Sequence, residues 1–238
     1  MRFLQMKWIV PILLLAAFYV ADQIRVGRPD HKYRLTVEVE TPGGIKSASG
    51  ILSVRPNRSY GGTGSGSSVP QTRGDAIFVE LGDGRNLVVL LVYGEDGSNF
   101  DDPSFLPTRL LGAKDRRTSF RDVKNFAGAP PMPVPEALRP VSVSFADRGD
   151  PKSARRVNAN DLEASLGKGY RLRGLSVDVI ANGFWPVDFG GALGEPVTRG
   201  IEAKLPWLNN PGGAAAALQA AGLKTGEGFA PEAAFTRK

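Results

Sequence analysis

The chain has 238 residues, including 29 Gly and 18 Pro, and 42% are hydrophobic, so it is loop-rich but has enough apolar material for one sizeable core. It contains no cysteine and one histidine, which excludes disulfides, thiol nucleophiles, Cys-ligated zinc, iron–sulfur clusters, multi-His metal sites and most Ser-His-Asp chemistry. The formal net charge is +6, which is moderately basic, and we expect no cofactor, no metal and no catalytic residue of a familiar kind.

The N-terminus has the pattern of a membrane-targeting segment. Arg2 and Lys7 precede an uncharged, strongly apolar run from Trp8 to Ala21, and residues 1–7 contain no acid. A basic segment followed by a short apolar stretch is typical of secretory targeting. The fourteen residues of the run would span roughly 21 Å as a helix, which is less than the roughly 30 Å hydrocarbon core. This length favours a cleaved signal peptide.

The residues around the cleavage position favour an anchor instead. Cleavage after Ala21 would place Tyr19, which is not small, at position −3, so an A-x-A-like site is missing. Further tolerated residues up to Ile24 would lengthen the span. We therefore predict that residues 1–24 are an uncleaved signal anchor, with residues 8–24 in the inner membrane in a single pass and the bulk of the chain in the periplasm. Secretion to the periplasm after cleavage of a signal peptide is the alternative.

This predicted location narrows the range of partners. The basic residues before the apolar run would stay in the cytoplasm under the positive-inside rule, which leaves the rest of the chain outside it. For a moderately basic extracytoplasmic protein, the expected partners are anionic lipid, an envelope polymer or an acidic protein, and not nucleic acid.

A first β-hairpin is predicted immediately after the apolar segment. Apolar and polar residues alternate from Tyr33 to Val39, which is typical of a half-buried strand. Thr41-Pro42-Gly43-Gly44 has the residues of a tight turn. The stretch from Ile45 to Arg55 is the predicted return strand, and Gly50 indicates a bulge within it.

A second hairpin follows a long Gly/Ser-rich loop at residues 56–74. Ala76 to Leu81 is one predicted strand, and Gly82-Asp83-Gly84-Arg85 is the turn. Asn86 to Tyr93 is the other strand. Its run Leu87–Val92 is apolar at every position, which predicts a central strand that is buried on both faces.

The middle of the chain is predicted to be irregular. Gly94 to Pro107 is a polar loop, and Arg109 to Lys124 is strongly basic and only weakly periodic. Ala127 to Pro140 holds five prolines and is predicted to cross the surface in an extended conformation. The segment 128–140 is a candidate divide between two subdomains.

The second half contains three more predicted strands and short helices. Asn158 is the expected N-cap of a helix that ends at Leu166, and Gly174 predicts a slip within the last strand. Thr198 is the expected cap of another short helix. The predicted strands are Val141–Phe145, Ala154–Val157 and Tyr170–Ile180.

Together these elements predict an α+β fold with a β-hairpin-rich, mostly antiparallel sheet, two or three short helices and a preceding N-terminal membrane segment. Long helices do not alternate with the strands, so a parallel doubly wound sheet is not expected. We predict one extracytoplasmic domain over residues 30–208 and a loosely packed Ala/Gly-rich tail over 209–238, with one short helix at Ala214–Ala221.

The hairpin sequence YRLTVEVETP at Tyr33–Pro42 resembles that of a group of short, membrane-anchored alphaproteobacterial proteins. The resemblance covers residues 30–60 and 138–208. It implies an envelope location and a shared domain, and it implies no activity. The other stretches that carry it are Val143–Asp147, Asp150–Ser153, Arg156–Asn158, Asp161–Leu162 and Pro196–Glu202.

The acidic loop after the second hairpin is the main candidate for chemistry. Its carboxylates and amide could coordinate Ca²⁺, but their spacing does not match the D-x-[DN]-x-[DN]-G loop. They could also supply a general acid/base pair. A solvated loop is the simpler interpretation, since no second carboxylate is placed opposite. The residues concerned are Glu95, Asp96, Asn99, Asp101 and Asp102.

Two groups of residues are candidates for contact with a partner or lipid. The densest basic cluster, which aromatic residues interrupt, favours an anionic surface. Phe184 and Trp185 place bulky apolar side chains in a loop, where they would anchor a partner if exposed. The lone His31 is expected on the surface. The basic residues of the site are Lys114, Arg116, Arg117 and Arg121.

The sequence as a whole predicts an envelope protein that acts as a membrane-anchored interaction or assembly module. The missing catalytic inventory and the basic and aromatic surface elements favour this interpretation. The alternative is a carboxylate-dependent enzyme that uses the 95–102 loop on an envelope polymer.

Overall fold

The computed structural model describes residues 11–19, 29–55, 70–100, 102–112, 120–183, 194–224 and 228–238. The rest of the predicted anchor and most of the predicted Gly/Ser-rich loop lie outside these ranges. Within them the fold is α+β, with two antiparallel sheets, which confirms the predicted class.

The described strands and helices have the following bounds. The strands are β1 His31–Thr41, β2 Gly44–Arg55, β3 Gln71–Asp75, β4 Ile77–Gly82, β5 Arg85–Val89, β6 Met132–Pro133, β7 Ser142–Phe145, β8 Ala154–Val157, β9 Arg171–Ile180 and β10 Thr236–Arg237. The α-helices are α1 at residues 11–19, α2 Asp102–Gly112, α3 Leu162–Leu166 and α4 Gly213–Ala220. Short 3₁₀ helices lie at Phe120–Phe126, Glu136–Leu138, Pro151–Ser153, Ile201–Ala203, Pro206–Asn209 and Pro231–Ala234.

The first predicted hairpin is confirmed and forms the middle of a six-stranded sheet ordered β10-β3-β2-β1-β9-β6. The predicted slip in β9 is also confirmed, because the register between β1 and β9 shifts where Glu38 faces Gly174. The predicted bulge at Gly50 is wrong, since Gly50 pairs in register with Leu35. The close approach of the two sheets favours glycine there, because a Cβ would lie 3.1 Å from the Ile77 side chain of the other sheet.

The second predicted hairpin is also confirmed, in a four-stranded sheet ordered β4-β5-β7-β8. Residues Leu87–Val92 are all buried, as expected for a central strand. Asn86, at the start of this strand, is buried too. Its amide donates to the Phe145 carbonyl at 2.8 Å and its carbonyl accepts from the Phe145 N–H at 2.9 Å, so the side chain continues the ladder between β5 and β7.

The chain passes from one sheet to the other at Asp75, a carboxylate that is only 1% exposed. Oδ1 accepts a hydrogen bond from the Thr236 hydroxyl at 2.7 Å, and Oδ2 accepts from the Ile201 N–H at 3.1 Å. Arg199 lies 3.6 Å from the same carboxylate. Asp75 therefore joins the crossing point to the segment around residue 200 and to the C-terminal strand.

The prediction of a loosely packed tail is wrong for the described part of residues 209–238. The predicted helix is present as α4, and it places Ala214, Ala217 and Leu218 in the core. Phe235 is also buried and lies edge-on to Trp207, with ring centroids 5.3 Å apart. Alanine-rich helices have little side-chain bulk, so this one approaches its neighbours closely, a packing that composition alone does not reveal.

The predicted polar loop Gly94–Pro107 is wrong over its second half, because α2 begins at Asp102. Pro103 lies in the first turn, where the missing N–H costs nothing. Pro107 leaves the Pro103 carbonyl without its usual helical donor. The buried Tyr33 hydroxyl donates to that carbonyl at 2.6 Å instead, which attaches the helix to the sheet.

The predicted position of His31 on the surface is also wrong. His31 begins β1 and is fully buried, and this burial lowers its pKa to about 4. The imidazole is therefore neutral at pH 7. Thr198 likewise does not cap a helix as predicted, because its hydroxyl and N–H bond the backbone of Ile51, at 2.8 and 3.0 Å.

Helix α1 is the described part of the predicted anchor. All nine of its residues are exposed. Among the residues that the structure describes, no helix is both long enough and apolar enough to cross a membrane.

Candidate functional site

A polar groove lies where β7 begins and β8 ends. Its main cavity has a volume of about 720 Å³. Three parts of the chain form its walls: the residues after β5, the 3₁₀ helix Glu136–Leu138 with the turn into β7, and the segment from β8 to α3. The polar side chains that line it are Glu95, Glu136, Arg139, Ser142, Arg156, Asn158, Asn160 and Ser165.

A second cavity of about 470 Å³ adjoins the first. Glu136, Arg139, Ala159 and Asn160 line both cavities, so the two are adjacent, and together they make up the groove. The second part extends along α3 to the start of β9, where Arg171 lines it. The groove is therefore elongated, and the shared residues lie where its two parts meet.

The amide of Asn160 lies at the centre of this junction. Its Oδ1 accepts a hydrogen bond from Arg139 Nη1 at 2.5 Å, and its Nδ2 donates to Glu136 Oε1. Both bonds involve a charged group, which makes them stronger than bonds between neutral groups. One amide thus holds a cation and a carboxylate side by side in the lining of the groove.

The segment before α3 fixes Asn160 in this position. The Asn160 N–H donates to Asn158 Oδ1 at 3.0 Å, which closes a tight turn. Asp161 then caps α3 by accepting from the Ala164 N–H at 3.0 Å. Asn158 was the predicted N-cap, and this prediction is wrong by three residues because three candidates, Asn158, Asn160 and Asp161, compete for the cap within four residues.

The charges along the groove are mixed. Glu95 and Glu136 face the main cavity together with Arg139 and Arg156. Arg156 forms no salt bridge with any residue that the structure describes, and Nε of Arg139 is buried without an acceptor there. Unsatisfied donors and an unpaired cation favour a ligand that supplies acceptors. The groove can therefore bind a polar segment through both donors and acceptors.

The acidic loop does not bring its carboxylates together at one point. The pKa of Asp96 is lowered to about 2, first by hydrogen bonds from the Ser98 hydroxyl and N–H and then by Lys224 at 3.2 Å. Asp102 forms a two-point ion pair with Arg109 at 2.7 and 2.5 Å. Asn99 caps α2 by accepting from the Asp102 N–H at 3.2 Å.

The hydrogen bonds and ion pairs of Asp96, Asn99 and Asp102 hold the loop in place. Of the candidate acidic and amide residues that the structure describes in this loop, only Glu95 lines the groove, and Asp101 lies outside the described residues. Over the described ranges, no group of three or more His, Cys, Asp or Glu side chains could hold a metal ion.

The predicted contact residues cannot be placed. Lys114, Arg116, Arg117, Phe184 and Trp185 all lie outside the described residues. The backbone of Arg121 lies in the 3₁₀ helix Phe120–Phe126, and its side chain is outside the described part. Gly183 and Gly194 are the described residues on either side of the range 184–193, and they are in close contact. A Cβ on Gly194 would lie 2.9 Å from the Gly183 Cα.

The groove was not predicted from the sequence. Its central residues come from segments interpreted as a proline-rich crossing and as a helix start. The available signal was the density of polar side chains in Asn158-Ala159-Asn160-Asp161, more than one helix cap requires. Comparisons with protein-family models, with curated proteins and with solved structures gave no match to this chain.

Proposed function

We propose that this protein is a membrane-anchored interaction module of the bacterial envelope. In this proposal, residues 8–24 hold it in the inner membrane and the folded domain lies in the periplasm, where the groove binds an envelope protein. The proposal includes the relationship to membrane-anchored alphaproteobacterial proteins that the Tyr33–Pro42 hairpin suggests.

The observation that carries the proposal is the exposure of α1. Six large apolar side chains of this helix are between 54% and 71% exposed, while the domain completes its own core without them. Burying six such side chains is worth on the order of 10 kcal/mol. A helix that its own domain leaves uncovered is therefore suited to a bilayer. The six residues are Ile12, Leu13, Leu14, Leu15, Phe18 and Tyr19.

The groove supports the second half of the proposal. An interaction module needs a surface that holds a partner without chemistry, and the Arg139–Asn160–Glu136 arrangement offers preorganised donors and acceptors. The enzyme alternative has less support. An enzyme of that type needs two converging carboxylates. The groove contains Glu95 and Glu136, but Glu136 already accepts a hydrogen bond from the Asn160 amide. Asp96 and Asp102 are each held by a cation away from the groove.

The anchoring is tested by fractionation of a C-terminally tagged chain. We expect the wild-type protein to remain in the membrane pellet after an alkaline carbonate wash. The double substitution Leu13→Asp and Leu15→Asp should move most of it into the supernatant, because two charges in the apolar segment cost roughly 5 kcal/mol at the bilayer centre. A matched pair of substitutions on the domain surface, Asn125→Asp and Ala129→Asp, should leave it in the pellet, since both residues are exposed. Extraction of the wild-type chain by carbonate would contradict the proposal.

The groove is tested by crosslinking in the membrane followed by pull-down and mass spectrometry. We expect Asn160→Ala to reduce capture of the recurrent partner about tenfold, because Arg139 and Glu136 lose the amide that positions them. Arg148→Ala is the control, since it removes a charged contact to Glu80 outside the groove. Equal capture by both variants would contradict a role for the groove.

Anionic lipid is the competing partner, and the predicted basic residues Lys114, Arg116, Arg117 and Arg121 would bind it. Liposome flotation of the full chain separates the two partners. Binding that falls steeply with salt and depends on these four residues would assign them to lipid, whereas loss of capture in the Asn160→Ala variant concerns the protein partner alone.

A further inference from the structure

The second strand of the first hairpin has one long unpaired edge. Strand β2 pairs with β1 over its whole length, from Gly44 to Val54. On its other side β3 covers only the last three residues, Ser53 to Arg55. The rest of that side, from Ile45 to Ser49, faces no other described strand.

The register shows which backbone groups point away from β1. At Ile51 the N–H donates to the Thr198 hydroxyl and the carbonyl accepts from the Thr198 N–H, so both groups of Ile51 point outwards. Backbone direction alternates with a period of two along a strand. The N–H and C=O groups of Ile45, Ser47 and Ser49 therefore also point outwards, and no described residue bonds them.

The side chains of this edge do little to protect it. Ile45 is 53% exposed, and Ser47 and Ser49 beside it are small, uncharged and exposed. Natural edge strands are commonly protected by proline, bulges or charges. Here Lys46 is the only charged residue between Ile45 and Ser49, and β2 pairs with β1 without a bulge.

We propose that two copies of this chain associate by antiparallel pairing of these β2 edges about a two-fold axis at Ser47. Ser47 then lies opposite Ser47 of the second copy, and Ile45 lies opposite Ser49 of the second copy. Each of the three outward residues exchanges both of its backbone bonds, which gives about six new hydrogen bonds. The two six-stranded sheets become one continuous sheet.

Self-complementarity favours a second copy over another strand. The free groups are placed symmetrically about Ser47, which an isologous interface requires. On neither face of the paired β2 strands do like charges lie directly opposite each other, because Lys46, the only charged residue of this edge, lies opposite Ala48 of the second copy. The exposed Ile45 lies beside a small residue, which leaves room for it to pack across the seam.

This arrangement agrees with the proposed anchor. A two-fold axis perpendicular to the sheet sends the two His31 ends in opposite directions along the strands, each about seven residues or roughly 23 Å from the axis. Both anchors reach one membrane when the sheet lies parallel to it. The dimer does not depend on the anchor, so the failure of one proposal leaves the other standing.

The absence of cysteine from the chain makes the register directly testable. In Ser47→Cys the two thiols of a dimer would belong to directly opposed residues, whose Cα atoms lie about 5.5 Å apart, within the range of a disulfide. We expect mild oxidation of the full chain in membranes to give a covalent dimer. Thr36→Cys, on the same face of β1, is the control, because three strand spacings of about 4.8 Å separate its two copies.

A second pair of variants tests the backbone bonds themselves. Ser47→Pro removes an outward N–H and keeps the pairing with β1, as edge positions allow. Sedimentation of the full chain in detergent should show dimers for the wild type and Ser47→Ala, and at least tenfold weaker association for Ser47→Pro, with unchanged circular dichroism.

Three results would overturn the proposal. The first is a monomeric wild-type chain, and the second is equal association of Ser47→Pro and Ser47→Ala. The third is a Ser47→Cys variant that forms disulfides no faster than Thr36→Cys, even where dimers sediment, since those dimers would use another surface such as α1. Crosslinking of this edge to a strand of a different protein would also reject a second copy as its occupant.

Discussion

Asp75→Ala should lower the free energy of unfolding by about 3 kcal/mol, because it leaves the Thr236 hydroxyl and the Ile201 N–H without an acceptor in the interior. The carboxylate joins three parts of the chain that are far apart in sequence, so its loss should loosen the C-terminal strand first. Urea unfolding followed by fluorescence of the buried Trp207 would measure the change.

The control for this substitution is Glu80→Ala. Glu80 also has two cationic neighbours, Arg148 at 3.4 Å and Lys204 at 4.0 Å, but its side chain is exposed. Surface pairs of this kind contribute roughly 0–1 kcal/mol. Asp75→Asn should fall between the two, since its amide keeps one acceptor. A loss for Asp75→Ala no larger than that for Glu80→Ala would show that the buried contacts do not hold the crossing point.

His31 should make the protein less stable as the solution is acidified from pH 7 to pH 4. In the unfolded chain its pKa is close to 6.5, whereas burial lowers the folded value to about 4. Between these two pKa values His31 binds a proton in the unfolded chain but not in the folded protein. The free energy of unfolding therefore keeps its full value above pH 6.5 and falls as the pH is lowered towards 4. The difference corresponds to about 3 kcal/mol.

The measurement compares wild-type protein with His31→Gln, which cannot titrate. Carboxylates contribute equally to both proteins, so the difference between the two pH profiles isolates the imidazole. We expect the profiles to run parallel above pH 6.5 and to converge below it as the wild type loses stability. Profiles that stay parallel down to pH 4 would mean that His31 is protonated in the folded state.

The sequence predicted the elements whose signal is local. Period-two alternation identified the hairpins and β9, and the alanine run identified α4. The sequence also predicted the turn at Thr41–Gly44 and the register slip at Gly174, because each depends on a few neighbouring residues.

The wrong predictions concern contacts between distant residues. Gly94–Pro107 was interpreted as a polar loop. In the structure Tyr33, seventy residues away from Pro103, supplies the donor that compensates the helical bond lost at Pro107. His31 was placed on the surface because it lies between the apolar segment and the first predicted strand. Its burial at the start of β1 depends on parts of the chain that meet only after folding. The groove was not predicted for the same reason, because Glu136, Arg139 and Asn160 come together only in the tertiary structure.

The position of β1 in its sheet has a consequence for biosynthesis. β1 is the first strand of the chain but a central strand of the sheet, with β2 on one side and β9 on the other. The β2 side can close as soon as the hairpin has been made, whereas the last partner on the other side, Ile180 opposite Lys32, is made roughly 150 residues later. Throughout that interval the backbone groups on the β9 side of β1 are unpaired, so they can pair with a strand of another chain. A chaperone that covers β1 until β9 arrives would therefore raise the yield of folded protein more than one that acts on the finished chain.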